Sequence, residues 1–177
     1  MDTFIEYLVK KKRTSADFLA MIGIAVIASI LIFVLFLLMQ VFASFGSIVF
    51  LLMVGVGYGA YILITSFNTE FEYVLVNNEI DVDKIINQRK RKRLTTINVK
   101  SIEEFGVFKN SRVASRHIEN GSVKKIYACT DKNDDGVYYA LYSERESKML
   151  ILFNPHQKMV DEIIKKNPLK KQNFEIQ

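Results

Sequence analysis

The chain has 177 residues, of which 50% are hydrophobic and 24% are charged, and its formal net charge is +5. Its only cysteine, Cys129, excludes a disulfide within the chain and a zinc site made of several cysteines. In a chain this hydrophobic, the positive balance points first to anionic membrane headgroups and only second to nucleic acid.

The longest uncharged segment, residues 18–69, contains no Asp, Glu, Lys or Arg. One membrane helix needs about 20 apolar residues, so the segment is too long for a single span. Small and polar residues interrupt it between residues 40 and 47. We therefore predict a two-helix transmembrane hairpin over residues 16–68, with spans at 18–39 and 46–67. A cleaved signal peptide fits the first span poorly, because its apolar core would have only about 7 to 15 residues.

A basic cluster comes directly before the first predicted span and consists of Lys10, Lys11, Lys12 and Arg13. Cytoplasmic segments next to membrane spans carry an excess of Lys and Arg, so this cluster predicts a cytoplasmic N-terminus. Two spans return the chain to its starting side. We therefore expect a multi-pass protein of the plasma membrane with both termini in the cytoplasm.

The N-terminal segment, residues 1–15, is amphipathic as well as basic. Thr3 and Glu6 have the spacing of a helix capping box. Four apolar residues lie on one flank of the corresponding helix: Phe4, Ile5, Leu8 and Val9. The pattern predicts a short helix in the membrane interface, and a frayed terminus is the alternative.

Small residues recur at helical spacing within both predicted spans. Gly55 and Gly59 form such a pair in the second span, and Ala25 and Ser29 form one in the first. Small side chains let helices approach closely in lipid, where packing contacts drive association. The favoured interpretation is that the two spans pack on each other here, because a short turn already holds them together. Dimerisation through Gly55 and Gly59 is the alternative.

Beyond the second predicted span the pattern changes to alternation, which is typical of strands with one buried face. Phe71, Tyr73 and Leu75 alternate with acidic residues, and a second alternating segment follows the pair Asn77-Asn78. Asn tolerates positive φ, so this pair predicts a two-residue hairpin turn. Residues 69–167 are predicted to form a cytoplasmic β-rich domain.

Five further strands are predicted along this domain, at residues 92–99, 105–109, 125–130, 137–143 and 148–153. A polar stretch, residues 110–121, is predicted to be a loop. The domain is expected to end in a helix with Asn154 as the N-cap and Pro155 at the first helical position. The apolar stripe of that helix consists of Met159, Val160, Ile163 and Ile164. A polar, basic tail, residues 168–177, follows.

These elements define the expected fold class. It is a membrane α-helical hairpin followed by an α+β domain of about seven mainly antiparallel strands, closed by a C-terminal helix. This is the arrangement of a pleckstrin-homology-like domain.

Two motifs carry a family resemblance: FEYVLVNNEIDVDKIINQRKRKRL at residues 71–94 and FNPHQKMVDEII at residues 153–164. With the two spans ahead of them, they make the chain similar to an uncharacterised family of small bacterial two-span membrane proteins. The resemblance covers the whole chain and implies a cytoplasmic pleckstrin-homology-like domain. It implies no activity and no catalytic residue.

The strongest functional signal is a run of five cations, Arg89, Lys90, Arg91, Lys92 and Arg93. The first strand leaves the membrane over about 30 Å and the second returns over a similar distance, so the run is expected near the bilayer surface. There each well-placed cation contributes about 1 kcal/mol with anionic lipid. We predict that the run holds the domain on anionic headgroups, with help from the N-terminal basic cluster. The alternative is a solvated strand edge.

Nucleic acid is the other class of partner for such a run, but sheet packing explains the aromatic residues that would stack on bases. These residues are Phe71, Tyr73, Tyr127, Tyr138, Tyr139 and Tyr142. We therefore do not expect nucleic acid as the partner.

A calcium loop is suggested by the spacing of Asp131, Asn133, Asp135 and Gly136. Such a loop also needs a Glu at its twelfth position, which here is Tyr142, and flanking helices, whereas these flanks alternate like strands. A polar turn with positive φ at Gly136 explains the motif better. We expect no metal and no cofactor.

Catalytic patterns are also missing from the sequence. His117 lies in the predicted loop and His156 in the predicted C-terminal helix, and neither belongs to a nucleophile or metal motif. Cys129 alternates with Tyr127 on a predicted strand, so we expect a small buried residue rather than a reactive thiolate. The sequence predicts a non-enzymatic integral membrane protein with a binding or scaffold domain. The alternative is a structural subunit of a membrane complex that oligomerises through its spans and binds a protein partner.

Overall fold

The structure is a computed structural model that describes residues 4–109, 111–119, 121–144, 147–168 and 174–175. The chain forms two compact units. Residues 13–68 make the helical unit, and residues 1–12 together with 69–177 make the β-sheet unit.

The helical unit contains two long helices, α1 at Ser15–Val41 and α2 at Gly46–Thr65, joined through a 3-10 turn at Ala43–Phe45. The break lies where the sequence predicts it. A capping box begins α1, since Thr14 Oγ1 accepts from the backbone N–H of Asp17 and the Asp17 carboxylate accepts from that of Thr14. The helices contact each other, and both are long and apolar enough to cross a membrane.

The first sheet of the β-sheet unit has four antiparallel strands in the order β1-β2-β3-β4. They are β1 (Phe4–Lys10), β2 (Thr69–Val76), β3 (Glu79–Ile86) and β4 (Lys90–Asn98). Asn77-Asn78 forms a two-residue turn between β2 and β3, and Asn77 has a φ of 53°. The predicted hairpin is confirmed.

The prediction of an N-terminal amphipathic helix is wrong, because this segment forms strand β1. Val9 is buried, and Ile5 and Tyr7 pack against the core. These three side chains recur every two residues, which is the period of a strand. The apolar residues of the same segment also have helical spacing, so the sequence pattern fits both structures. Pairing with β2 decides between the two, because it gives backbone groups of both strands hydrogen-bond partners.

The second sheet has five strands in the order β6-β8-β7-β5-β9. They are β5 (Ile102–Val107), β6 (Lys124–Ala128), β7 (Tyr138–Glu144), β8 (Ser147–Phe153) and β9 (Phe174–Glu175). The seven predicted strands correspond to β2 through β8, so the predicted count omits β1 and β9. The β6–β8 and β5–β9 pairs are parallel, and the remaining pairs are antiparallel.

The predicted loop at residues 110–121 contains a helix instead, α3 at Arg112–Glu119. Residues 110 and 120 lie outside the described residues. Ser111 caps the helix, because its Oγ accepts from the backbone N–H of Ala114 at 3.1 Å. Ala114 is buried in the core of the second sheet, with Ile118 packed nearby. The cap and these two apolar residues are a helix signal that the polar composition conceals.

Helix α4, Gln157–Lys166, follows β8 and buries Met159, Val160 and Ile163. Its N-cap is His156, whose Nδ1 accepts from the backbone N–H of Lys158 at 3.2 Å. Strand β9 comes after α4, so the helix is not the last element. The predicted tail is described only at residues 168 and 174–175.

The prediction of Asn154 as the N-cap of this helix is wrong, and Pro155 precedes the cap. The Asn154 side chain instead joins three segments of the fold. Its Oδ1 accepts from the backbone N–H of Thr130 at 2.8 Å, and its Nδ2 donates to the carbonyl of Gly136 at 2.9 Å. Its backbone N–H donates to the buried Tyr73 hydroxyl at 3.2 Å. Tertiary contacts therefore use the side chain that the sequence assigns to the cap.

Two hydrophobic clusters make up the core. The larger one joins residues of both sheets to α4, and the smaller one lies between the second sheet and α3. The first sheet thus has one face packed on the core and one outer face.

Candidate functional site

The basic run lies at the end of the first sheet where the chain arrives from α2. Ile86, the last residue of β3, pairs with Thr69 at the start of β2 and with Lys90 at the start of β4. These three residues form one cross-strand row. Only residues 66–68 separate α2 from β2. The register therefore brings the start of the run to the end of the sheet at which β2 begins, and its predicted position near the bilayer surface stays a prediction.

A tight turn at residues 87–89 leads into the run. Asn87 and Gln88 have φ values of 50° and 53°, and the Arg89 N–H donates to the Ile86 carbonyl at 3.1 Å. Two successive positive φ values are the mark of a type I′ hairpin turn. Gln rarely adopts this conformation, and its Nε2 is held 3.4 Å from Glu70 Oε1.

A β-bulge in β4 decides which way the cations point. The register pairs Val82 with Thr95 but Asp83 with Arg93, so Leu94 is the extra residue. Residues directly opposite each other share a face of the sheet. The arginines at 91 and 93 therefore lie on the outer face with Asp83, and the lysines at 90 and 92 lie on the opposite face.

The two arginines on the outer face pair with carboxylates. Arg91 Nη2 lies 2.9 Å from Glu72 Oε1, and Arg93 bonds to Asp83 and lies 2.7 Å from Asp81. The Glu72 and Asp83 side chains are only 4% exposed, whereas those of the arginines are 59% and 51% exposed. Buried carboxylates are costly unless they are paired, so these two arginines compensate the negative charges of Glu72 and Asp83. The pairing depends on the strand register and is therefore not evident from the sequence.

Burial raises the pKa of Glu72, and the Arg91 guanidinium opposes the shift only in part. The second Glu72 oxygen, Oε2, is buried and has no hydrogen-bond partner among the residues that the structure describes. Because the folded pKa lies above the unfolded one, this group contributes stability that is complete below its unfolded pKa. That stability is lost as the pH rises through the folded pKa. Ionised Glu72 therefore carries a net cost in the folded state at neutral pH.

The remaining cations of the run, Arg89, Lys90 and Lys92, are exposed. Within the described part of the chain, the ion pairs of the run involve the other two arginines only. The run therefore has two roles: its outer-face arginines stabilise buried acids, and its other cations are accessible to a ligand.

The N-terminal basic cluster is divided between the two units of the chain. Lys10 ends β1 and is exposed, and the backbone N–H of Lys11 donates to the Thr69 carbonyl at 2.9 Å. Lys12 lies 2.9 Å from Asp134, a bond that raises the pKa of Lys12 and lowers that of the carboxyl. Arg13 belongs to the helical unit.

The calcium-like motif forms a polar turn. Asp131 Oδ1 accepts from the backbone N–H of Asn133 at 3.0 Å, and Asp135 pairs with Lys109. The predicted positive φ at Gly136 is wrong, because no described glycine has a positive φ. Among the residues that the structure describes, no group of three or more His, Cys, Asp or Glu could hold a metal.

The small residues predicted to pack α1 against α2 do not lie at the contact between these two helices. A Cβ built at Gly55 or Gly59 would have no neighbouring heavy atom within 4 Å in the described ranges, so α1 does not approach these glycines closely. Ala25 and Ser29 are exposed, and the buried residue of α1 is Ala28. The favoured interpretation of these pairs is not supported, and dimerisation through them stays a prediction.

Cys129 is buried, as expected, and burial raises the pKa of its thiol to about 11. His117 lies on α3 rather than in a loop, with its Nε2 2.9 Å from Glu104 Oε2. A thiol with so high a pKa is a poor nucleophile at neutral pH.

Most of the aromatic residues considered for base stacking belong to the core or pack against it. Phe71, Tyr73, Tyr139 and Tyr142 are buried, and Tyr138 stacks on Phe105. Tyr127 is the exception, since it is 41% exposed with the Lys132 ammonium 3.9 Å from its ring centroid. One isolated ring offers no platform for successive bases.

A comparison with protein families matches residues 1–172 to the family described as "Bacterial PH-like domain (DUF6106)". The chain belongs to this family. The match spans almost the whole length and agrees with the resemblance carried by the two motifs. It also supports the general PH-like fold, and the chain contains two long apolar helices and two β-sheets. No curated protein and no solved structure gives a significant match to this PH-like chain.

Proposed function

We propose that the protein is a non-enzymatic integral membrane protein that holds a PH-like binding or scaffold domain at the cytoplasmic face of the plasma membrane. The large apolar side chains of α1 and α2 are mostly exposed, which is costly in water and favourable in lipid. The basic cluster before α1 favours a cytoplasmic position for both termini.

The observation that carries the proposal is the cross-strand row of Thr69, Ile86 and Lys90. If α2 spans the bilayer, the linker at residues 66–68 can extend by only about 11 Å. The accessible cations Arg89, Lys90 and Lys92 then lie at the end of the sheet tethered to the membrane. Anionic headgroups attract such cations by about 1 kcal/mol each.

Membrane topology provides the first test. With Cys129 replaced by Ala, a new cysteine at Ser44 is expected to react with an impermeant maleimide in intact cells. A cysteine at Lys158 is expected to react only after permeabilisation, because the hairpin places it inside. The reverse labelling pattern, or release of the protein by alkaline carbonate, would contradict the proposed anchoring.

Lipid contact is tested with the full-length protein in nanodiscs. We expect Lys90 and Lys92 to react more slowly with an amine reagent in discs that contain phosphatidylglycerol than in phosphatidylcholine discs. Salt at 1 M should abolish the difference, because it screens interactions between exposed charges that lie more than about 3 Å apart. Lys124 and Lys158 are exposed elsewhere on the domain and serve as internal controls. Equal reactivity of Lys90 and Lys92 in both discs at physiological salt would exclude the contact.

The alternative function is a structural subunit that oligomerises through its spans and binds a protein partner. It is favoured by the open space beside Gly55 and Gly59. Light scattering in mild detergent distinguishes the two functions. The proposed function predicts a monomer, whereas a stable oligomer that is lost on Gly55→Leu substitution would favour the alternative.

A further inference from the structure

Three lysines lie together on the core-facing side of the β3–β4 hairpin. Lys84 on β3 is directly opposite Lys92 on β4, and Lys90 lies two residues from Lys92 on the same strand. Side chains directly opposite each other have Cβ atoms about 5 Å apart, and residues two apart on a strand lie about 7 Å apart. The three ammonium groups are therefore within reach of one small ligand.

Like charges directly opposite each other destabilise a sheet. In the described part of the chain, none of these three lysines forms an ion pair with a carboxylate. The acids nearest in register, Glu72 and Asp83, face the other side and are engaged by arginines. Phe71 lies opposite Lys84 on β2, and Ile86 lies opposite Lys90. The lysine face thus has apolar neighbours, and an external anion would relieve its repulsion.

We propose that Lys84, Lys90 and Lys92 form a binding site for a phosphate monoester. The inference deepens the proposed function and rests on it, since it names the ligand class of Lys90 and Lys92, two of the exposed cations of the run. Lysine ammonium groups bind phosphate as point charges. A monoester carries a charge of about −1.5 to −2 at neutral pH, whereas a diester carries about −1, so three converging cations favour the monoester.

The ligand can come from a lipid headgroup or from solution, and the experiment separates these sources. Full-length protein is placed in phosphatidylcholine nanodiscs that contain either phosphatidate, a monoester, or phosphatidylglycerol, a diester, at equal negative charge. A third sample has phosphatidylcholine discs with inorganic phosphate in solution. Amine reactivity of each lysine is measured by mass spectrometry. We expect phosphatidate to lower the reactivity of all three lysines by about tenfold, with a much smaller effect of phosphatidylglycerol.

Variants at Lys84 complete the test. Lys84→Gln should abolish the phosphatidate-specific protection of the other two lysines, whereas Lys84→Arg should retain most of it. Lys124→Gln removes a charge at an exposed position on β6 and should have no effect. The Gln variant should fold normally, because it removes a like-charge contact, and circular dichroism checks this.

Each outcome discriminates. Protection by inorganic phosphate alone would support the site and assign its ligand to solution. Equal protection by both lipids, unchanged in Lys84→Gln, would overturn the monoester site while leaving lipid contact intact. Absence of protection in every sample would overturn the site, and the topology test would then show whether the membrane anchoring survives.

Discussion

Replacing Arg91 with Met is expected to lower the free energy of unfolding of the β-sheet unit by about 2 kcal/mol at neutral pH. Removing one partner of a buried ion pair typically costs about 3 to 5 kcal/mol, and the solvent around this half-exposed guanidinium reduces that cost. The variant leaves ionised Glu72 buried without its cation. Amide hydrogen exchange of β2 and β3 in the full-length protein measures the loss.

Acid pH and a second substitution provide the controls for Arg91. Protonation of Glu72 removes its buried charge, so the Arg91→Met defect should shrink as the pH falls toward the unfolded pKa of that group. Glu72→Gln, which resembles the protonated acid, should be neutral or stabilising at neutral pH, and it should rescue Arg91→Met. A variant as stable as the wild type at every pH would show that Arg91 does not compensate the acid.

Replacing Asn154 with Ala is expected to cost about 2 kcal/mol, because the backbone N–H of Thr130 and the carbonyl of Gly136 both lose a partner. Urea unfolding followed by circular dichroism measures the change. The decisive variant is Asn154→Asp. Asp is as good a helix N-cap as Asn, so the cap interpretation predicts almost no effect.

The network in the structure predicts a clear loss for Asn154→Asp, because a carboxylate cannot donate to the Gly136 carbonyl. A matched control is His156→Asn, which replaces the observed N-cap with a better capping residue but removes an edge-to-face contact of the imidazole with Tyr7. These two effects oppose each other, so this variant should lose less stability than Asn154→Asp. If Asn154→Asp were as stable as the wild type, the tertiary role of the amide would be excluded.

Local patterns predict much of this fold. The alternation of Phe71, Tyr73 and Leu75 and the turn at Asn77-Asn78 define a hairpin from neighbouring residues alone. The register then places the basic run at the end of the sheet next to Thr69, as the strand lengths predict. Such features depend on periodicity and turn chemistry, which a single sequence shows.

The wrong predictions share a different cause. In each case the local sequence fits two structures, and contacts with residues distant in the sequence select one of them. Residues 4–10 fit a helix or a strand, and the free edge of β2 selects the strand. Asn154 suits a helix N-cap, but its side-chain amide forms hydrogen bonds with the backbone of Thr130 and Gly136 instead. Helix α3 depends on a short apolar contact with the second sheet, which a polar composition hides.

The sequence by itself determined that two long apolar segments precede a β-rich, basic domain, because hydrophobic length and alternation are local properties of the chain. Only the tertiary structure decided how the five cations of the run are divided. The bulge at Leu94 reverses the alternation of β4, so two arginines cover the buried acids and two lysines face the opposite side with Lys84. The sequence of a charged run does not specify which face of a sheet each side chain occupies. The pairing register of the strand, including any bulge, specifies it.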